Sequence, residues 1–352
     1  MKFIHAFTLL ALFLAVPSAH SVELPGIPEF IDQMVAKHKF KHSELESVFA
    51  HAELVQPVLD AISRPATAKP WLEYRANFVN PQRIRLGLDF WHRYRKTLQH
   101  AERKYGVPQD IIVAVIGVET IYGQDAGNFR TIDALTTLAF DYPPRADFFR
   151  SELENFLLLA REQQFNLLAI RGSYAGALGI PQFMPSSYRV YAVDFNGNRK
   201  INLLREDGDA IGSVANYLKA FGWTSQPLEQ SAGAGKLPAH KKSRIPAIAP
   251  IAVRAQVSED ICAGDITTPR TVAAWSISGI TPTVKLAQDQ TARLIDFTVG
   301  DGKEFWLVFN NFEVITRYNN SDYYAMSVFQ LAEALTEARK VQSRKTMRRA
   351  PL

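Results

Sequence analysis

From Pro28 to His100 the apolar positions recur at three- and four-residue steps. Phe30, Ile31, Met34 and Val35 form one set, Leu45, Val48 and Phe49 a second, and Leu54, Val58, Leu59 and Ile62 a third. That spacing predicts a layer of amphipathic helices, interrupted at Pro65 and Pro70 and followed by an aromatic-rich stretch from Trp71 to Trp91. After Gly106-Val107-Pro108 the run Ile111 to Val118 is apolar on every side, which predicts a buried helix with Pro108 in its first turn. Helices are predicted again over 148–164 and over 210–221, the latter opened by Asp209 as N-cap and closed by Gly222. Between them, 171–185 is rich in Gly and Pro and predicts an ordered loop. Further on, Val272 to Ile277, Arg293 to Val299 and Glu304 to Phe309 have strand composition, with a hairpin turn at Gly300-Asp301-Gly302. A last helix, 323–341, is expected to fold back on the helical core.

These patterns predict a mainly helical α+β protein. Residues 22–104 form a helical domain completed by 323–341, residues 105–225 a catalytic core, 226–250 a linker rich in Ala, Gly, Pro, Ser and Lys, and 251–322 a small β domain. The first 21 residues read as a signal peptide: Lys2, an apolar run from Phe7 to Val16, and Ala19-His20-Ser21 before the expected cut. That run is about half the ~20 residues that span a bilayer, and no cysteine stands near the cut to accept a lipid. A soluble, secreted chain is expected, and nothing demands more than a monomer.

The chain of 352 residues carries 40 basic and 35 acidic side chains, a net charge of +5. A mildly basic surface suits nucleic acid, an anionic membrane face or the bacterial wall, and charge alone does not choose among them. The basic cluster Arg344 to Arg349, in the tail 342–352, reads as solvated. Cys262 is the only cysteine; it excludes an internal disulfide and reads as a small buried hydrophobe.

Glu119 ends the buried helix. Burial and the negative end of the helix dipole both disfavour its charged form, raising its pKa as a general acid near neutrality requires. The competing reading is a helix-end Glu paired with Arg130 or Arg145. The segment Gly172 to Tyr188 offers hydroxyls, an amide and aromatic faces, a mixture that binds sugars; the alternative is a tight structural crossing that its glycines permit. A His-Glu-x-x-His helix, a Gly-x-Ser-x-Gly elbow and a phosphate loop are all missing from the sequence. Asp194, Asn196 and Asn198 stand at the first, third and fifth positions of an EF-hand loop spanning 194–209, with Lys200 next in the series. Arg199 replaces the usual Gly, however, and Arg205 the closing Glu. Closure is left to Glu206, Asp207 or Asp209, and structural calcium is weighed against a metal-free loop.

Gly117-Val118-Glu119-Thr120, Ser173-x-Ala175-Gly176-Ala177-x-Gly179, Gln182 to Tyr188, Asp209 to Tyr217 and Tyr318-Asn319-x-Ser321-x-x-Tyr324-Ala325-Met326 occur in one order. Together, over about 28–335, they resemble the lytic murein transglycosylase B family and its soluble members. The resemblance implies a lysozyme-like catalytic core with a helical domain and a small β domain around a glycan groove. It implies cleavage of the β-1,4 bond between N-acetylmuramic acid and N-acetylglucosamine in peptidoglycan without water, leaving a 1,6-anhydro end. Glu119 matches the family's single catalytic Glu, so no second carboxylate or cofactor is required. Ser173, Gln182, Tyr217, Tyr318, Asn319 and Tyr324 fall on positions that hold the sugar and its acetamido group. Phe183 and Tyr74 are expected to add stacking surface and Arg145 to meet the muramyl peptide, although Pro144 replaces a basic residue beside it. The expected location is the periplasm of a Gram-negative bacterium, with glycan strands as substrate and cell-wall synthases or division proteins as companions. Two readings compete. One is a hydrolytic muramidase in which Asp125, Asp133 or Asp141 holds a water; the other is a noncatalytic wall-binding scaffold. Nucleic-acid binding rests on charge alone.

Overall fold

A computed structural model describes residues 25–64, 69–225, 250–258 and 268–349, with side chains as far as residue 344. The expected signal peptide, nearly all of the linker, Cys262 and the end of the basic tail lie outside the described residues.

The helices predicted before residue 105 are α1 (Ile27–His38), α2 (His42–Ala50), α3 (Gln56–Ile62), α4 (Trp71–Ala76), α5 (Pro81–Arg93) and α6 (Arg95–Tyr105). In α1 the apolar stripe buries Phe30, Ile31 and Met34. Helix α5 opens where Asn80 accepts the Arg83 N–H at 2.9 Å and Pro81 takes a first-turn position. Helix α7 (Gln109–Thr120) is the centre of the molecule: every residue from Ile111 to Val118 is buried, each large side chain contributing roughly 1.5–3 kcal/mol relative to exposure. It starts one residue after Pro108, which sits at the N-cap and not inside the first turn.

A two-stranded ribbon, β1 (Phe129–Arg130) with β2 (Arg171–Gly172), brackets α8 (Thr131–Phe140) and α9 (Ala146–Gln163). Next come α10 (Pro185–Tyr191) and α11 (Asp207–Ala220). Helix α11 begins two residues before its predicted N-cap, so Asp209 lies inside the first turn, fully buried.

The remaining strands, β3 (Ala252–Val257), β4 (Arg270–Thr271), β5 (Ile280–Pro282), β6 (Thr291–Val299) and β7 (Gly302–Val308), form one antiparallel sheet in the order β4-β6-β7-β3-β5. The β6–β7 hairpin closes at Val299 and Gly302 around Gly300-Asp301, with Gly300 at φ 59°. Alternation along β6 separates two cores. Ile295 and Phe297 join the helical core, where Phe297 stacks on Trp71 with centroids 4.4 Å apart. Ala292 and Leu294 face a smaller core with Val272 and Trp275.

The predicted strand at 272–277 is instead a helix, α12 (Val272–Ile277). Thr271 caps it by accepting the Ala274 N–H at 3.2 Å, and Val272 and Trp275, three apart, share the buried face while Ile277 is 89% exposed. Short β-branched composition lost to a cap and a three-residue period. Helices α13 (Asn310–Thr316) and α14 (Asp322–Arg349) complete the chain, and α14 lies along α7, α5 and α4. No helix among the described residues is long and apolar enough to cross a membrane.

Candidate active site

Helix α7 delivers Glu119 to its last turn and is then stopped abruptly. Ile121, Tyr122 and Gly123 have φ of 52°, 61° and 85°, three successive left-handed residues of which the first is β-branched. Such a conformation persists only where its surroundings fix it. The Thr120 hydroxyl accepts the Gly123 N–H at 2.9 Å and donates to the Ile180 carbonyl at 2.8 Å, tying the helix end to the glycine-rich segment. There Gly179, at φ 68°, passes so close to the Leu203 carbonyl that a Cβ would lie 2.2 Å from its oxygen.

Glu119 keeps only part of its surface open to solvent, with dense protein around the rest. Burial raises its pKa from 4.5 to about 7, while a hydrogen bond from the Tyr324 hydroxyl, 2.5 Å from Oε1, acts in the opposite direction. The expected competitor is excluded. Arg130 donates to Asp133 and to the His51 carbonyl, and Arg145 lies over the Phe148 ring at 4.4 Å. Among the described residues the carboxyl therefore has a hydroxyl partner and no cation, and its protonated form persists up to about pH 7.

Tyrosines surround it. Burial and the charge of Glu119 raise the pKa values of Tyr74, Tyr217, Tyr318 and Tyr324, Tyr74 to about 12, so all four remain neutral donors. Tyr318 and Tyr324 stack with centroids 6.3 Å apart, and Tyr217 meets Tyr318 at 4.8 Å. The Tyr318 hydroxyl donates to the Pro181 carbonyl and that of Tyr217 to the Arg317 carbonyl, both at 2.6 Å.

Phe183 is 2% exposed and packs on Tyr217 and Tyr318, so it supports those rings instead of offering a face to a sugar. Tyr74, 6% exposed, is likewise covered, packed on Phe78 and Tyr323. The Ser173 oxygen accepts the Ala175 and Ala177 N–H groups, leaving its own proton to donate. Gln182, at φ 51°, donates its amide to the Ala126 and Gly179 carbonyls, leaving its side-chain oxygen as an acceptor. Asn319 is exposed just before α14. Arg145 is also exposed, and its contacts, with Phe148 and Phe149, are separate from the Glu119 cluster. Arg83 and Tyr122, which pack behind the helix end, were missed; Gly87 and Gly117, two glycines inside helices, were the available signal of a close approach there.

In the EF-hand-like loop Asp194 accepts the Gly197 and Arg199 N–H groups at 2.7 Å, holding the turn as a first-position Asp would. The Asn196 and Asn198 amides both donate to the Glu206 carboxylate. Asp209 is not available as a ligand: one oxygen accepts from the Phe195 and Asn196 N–H groups and the other from Asn202. It clamps the loop to α11. Two carboxylates with two amides fit a hard cation by donor type but supply little charge.

A helix-borne carboxyl whose pKa burial raises, in a tyrosine-lined site, is what a glycosidase-like enzyme requires. The comparisons give this class its family. The transglycosylase SLT domain matches residues 24–333. Membrane-bound lytic murein transglycosylase B of Escherichia coli (strain K12) is 40% identical over 325 residues, 90% of this chain and 84% of the relative. The crystal structure of soluble lytic transglycosylase SltB1 from Pseudomonas aeruginosa superposes with a TM-score of 0.78 at 43% identity, covering 90% of this chain and 100% of that one. Escherichia coli Slt35 in complex with calcium gives 0.78 at 40%, covering 90% and 94%. The chain belongs to the SLT-domain lytic transglycosylases; it is a lytic murein transglycosylase acting on peptidoglycan, with the mainly helical α+β fold of its relatives.

Proposed function

We propose that Glu119 is the single acid/base of a non-hydrolytic cleavage of the β-1,4 bond between N-acetylmuramic acid and N-acetylglucosamine. Protonated at the start, it gives its proton to the leaving glycosidic oxygen. The resulting carboxylate then accepts the proton of the muramyl 6-hydroxyl as that oxygen attacks C1, forming the 1,6-anhydro ring and consuming no water. The substrate's acetamido group stabilises the cationic C1 between the two steps. The observation that carries this reading is a carboxyl whose pKa burial raises to about 7 and whose hydrogen-bond donor among the described residues, Tyr324, serves the charged form that follows proton transfer.

The hydrolytic alternative is weaker. Asp133 is occupied by Arg130 and the Glu53 N–H. In the groove, Ser173, the Gln182 oxygen, Tyr217, Tyr318 and Asn319 hold the sugar and its acetamido group, and exposed Arg145 meets stem-peptide carboxylates. Calcium, where present, is held by Asp194, Asn196, Asn198, the Lys200 carbonyl and Glu206, in place of Asp209, and adds only rigidity to the loop. The leader-like first residues support a periplasmic location, where synthases and division proteins act on the same wall.

The test is digestion of purified peptidoglycan with the mature protein and with Glu119→Gln, followed by mass spectrometry. Products lighter by one water than reducing muropeptides, from the wild type alone, are expected. Water-added products mean a muramidase, and release by both proteins removes Glu119 from the reaction.

A further inference from the structure

Among the described residues one buried cation takes no part in the proposed chemistry and forms no ion pair. Arg83, on α5, is 8% exposed. Its guanidinium donates to the Gly117 carbonyl, to the Val118 carbonyl at 3.5 Å and to the Asn77 carbonyl at 3.1 Å. Gly117 and Val118 are the two residues immediately before Glu119. Burial lowers the pKa of Arg83, and the nearby acidic groups Tyr122 and Asp125 raise it only in part. A desolvated cation held chiefly by neutral carbonyls is costly to keep.

The last carbonyls of a helix have no partner within it, and α7 cannot continue past Thr120 because the next three residues are left-handed. The Gly117 carbonyl accepts the Ile121 N–H at 3.2 Å and Arg83 as well, so it is fixed from two sides. Tyr122 folds back between the helices. Its hydroxyl lies 2.5 Å from where a Cβ on Gly117 would stand and 2.3 Å from one on Gly87. Helices α5 and α7 therefore close around that ring, and Arg83 spans the same gap to grip the terminal turn.

We propose that Arg83 is a positioning residue for Glu119: by holding the Gly117 and Val118 carbonyls it sets the direction in which α7 presents the carboxyl to Tyr324 and to the glycosidic oxygen. This rests on the reading of Glu119 as the acid. A positional error of about 1 Å at a reacting group costs on the order of 10²-fold in rate, so the effect belongs in kcat. Sugar binding is left alone, because the groove residues of the 173–183 segment, α11 and α14 do not touch Arg83.

The experiment compares the wild type with Arg83→Gln, Arg83→Lys and Arg83→Met on a soluble glycan oligomer, measured well below each protein's Tm. A Leu294→Ala variant, in the separate small core, controls for lost stability. Arg83→Gln is expected to lower kcat by about 10- to 100-fold with KM within about twofold, and Arg83→Lys, which keeps charge and donors, to recover part of the loss. If Arg83→Gln does not fold, Arg83→Met carries the same measurement, since it fills the gap with a flexible apolar side chain and brings no polar group of its own into it. A lowered Tm with kcat unchanged, as expected for Leu294→Ala, would overturn the proposal, as would a loss confined to KM. Glu119→Gln, assayed alongside, separates failure of the positioning role from failure of the acid itself.

Discussion

Glu119 should destabilise the fold that holds it, and that cost can be measured apart from activity. Its carboxyl titrates at about 7 in the folded protein and at 4.5 when freed. A group whose folded pKa is raised by burial binds more protons in the native than in the unfolded chain between those values. Stability is thus lost as pH rises through that window, and the full penalty is present above about pH 7. The difference between the two pKa values corresponds to roughly 3 kcal/mol. Glu119→Gln keeps an oxygen to accept the Tyr324 hydroxyl and removes the charge. At pH 4.5 the variant and the wild type should therefore be equally stable, and at pH 8 the variant should be more stable by up to about 3 kcal/mol, a Tm gap on the order of 5 °C. All other titrations are common to both proteins and cancel in the comparison. Thermal unfolding at pH 4.5, 6 and 8 reads the gap directly. A gap that does not widen with pH would refute the raised carboxyl, and with it the protonated resting state from which the reaction starts.

Three further outcomes are expected. Tyr324→Phe removes the hydrogen bond that favours the charged form, so the Glu119 pKa rises further; the alkaline limb of kcat/KM against pH should move up and kcat fall by about 10- to 100-fold, whereas an unmoved limb would mean that the hydroxyl does not bond the carboxylate. Asp209→Asn keeps the shape but replaces one of the two oxygens that together accept three backbone N–H groups with an NH2, setting a donor against a donor. It should cost about 2 kcal/mol in denaturant unfolding and leave the kcat of the folded protein near wild type. Tyr122→Phe removes a buried hydroxyl that has no partner; stability should change by less than about 0.5 kcal/mol or improve, and a loss above about 1.5 kcal/mol would require an ordered water bonded there.

The elements read most securely from the chain were those whose pattern is local and long. Helices α7 and α9 and the β6–β7 hairpin stand within a few residues of their predicted places, and α14 begins one residue early but runs eight residues further than predicted, because apolar period and turn chemistry act over one element at a time. The stretch 272–277 failed because six residues of Val, Ala, Trp, Ser and Ile do not separate the two periods; the deciding facts, a cap at Thr271 and an indole N–H donated to the Ala292 carbonyl at 2.8 Å, involve the neighbouring backbone. Asp209 was read as a cap because capping is the local use of an Asp before a helix, whereas its true partners lie seven to fourteen positions upstream.

The site shows the same division between near and far causes. Position at the end of an all-apolar helix was enough to expect a raised Glu119, but the hydroxyl bonded to it comes from 205 residues away. The expectation that the helix dipole also raises that pKa meets a second helix in the folded protein. Two of the carbonyls at that end, Gly117 and Val118, accept from the Arg83 cation on α5, and burial is the leading cause of the raised carboxyl. No periodicity in α7 announces a counter-charge from another helix. The one trace of it in the sequence is the pair of glycines that let the two helices approach closely enough for Tyr122 and Arg83 to fill the space between them.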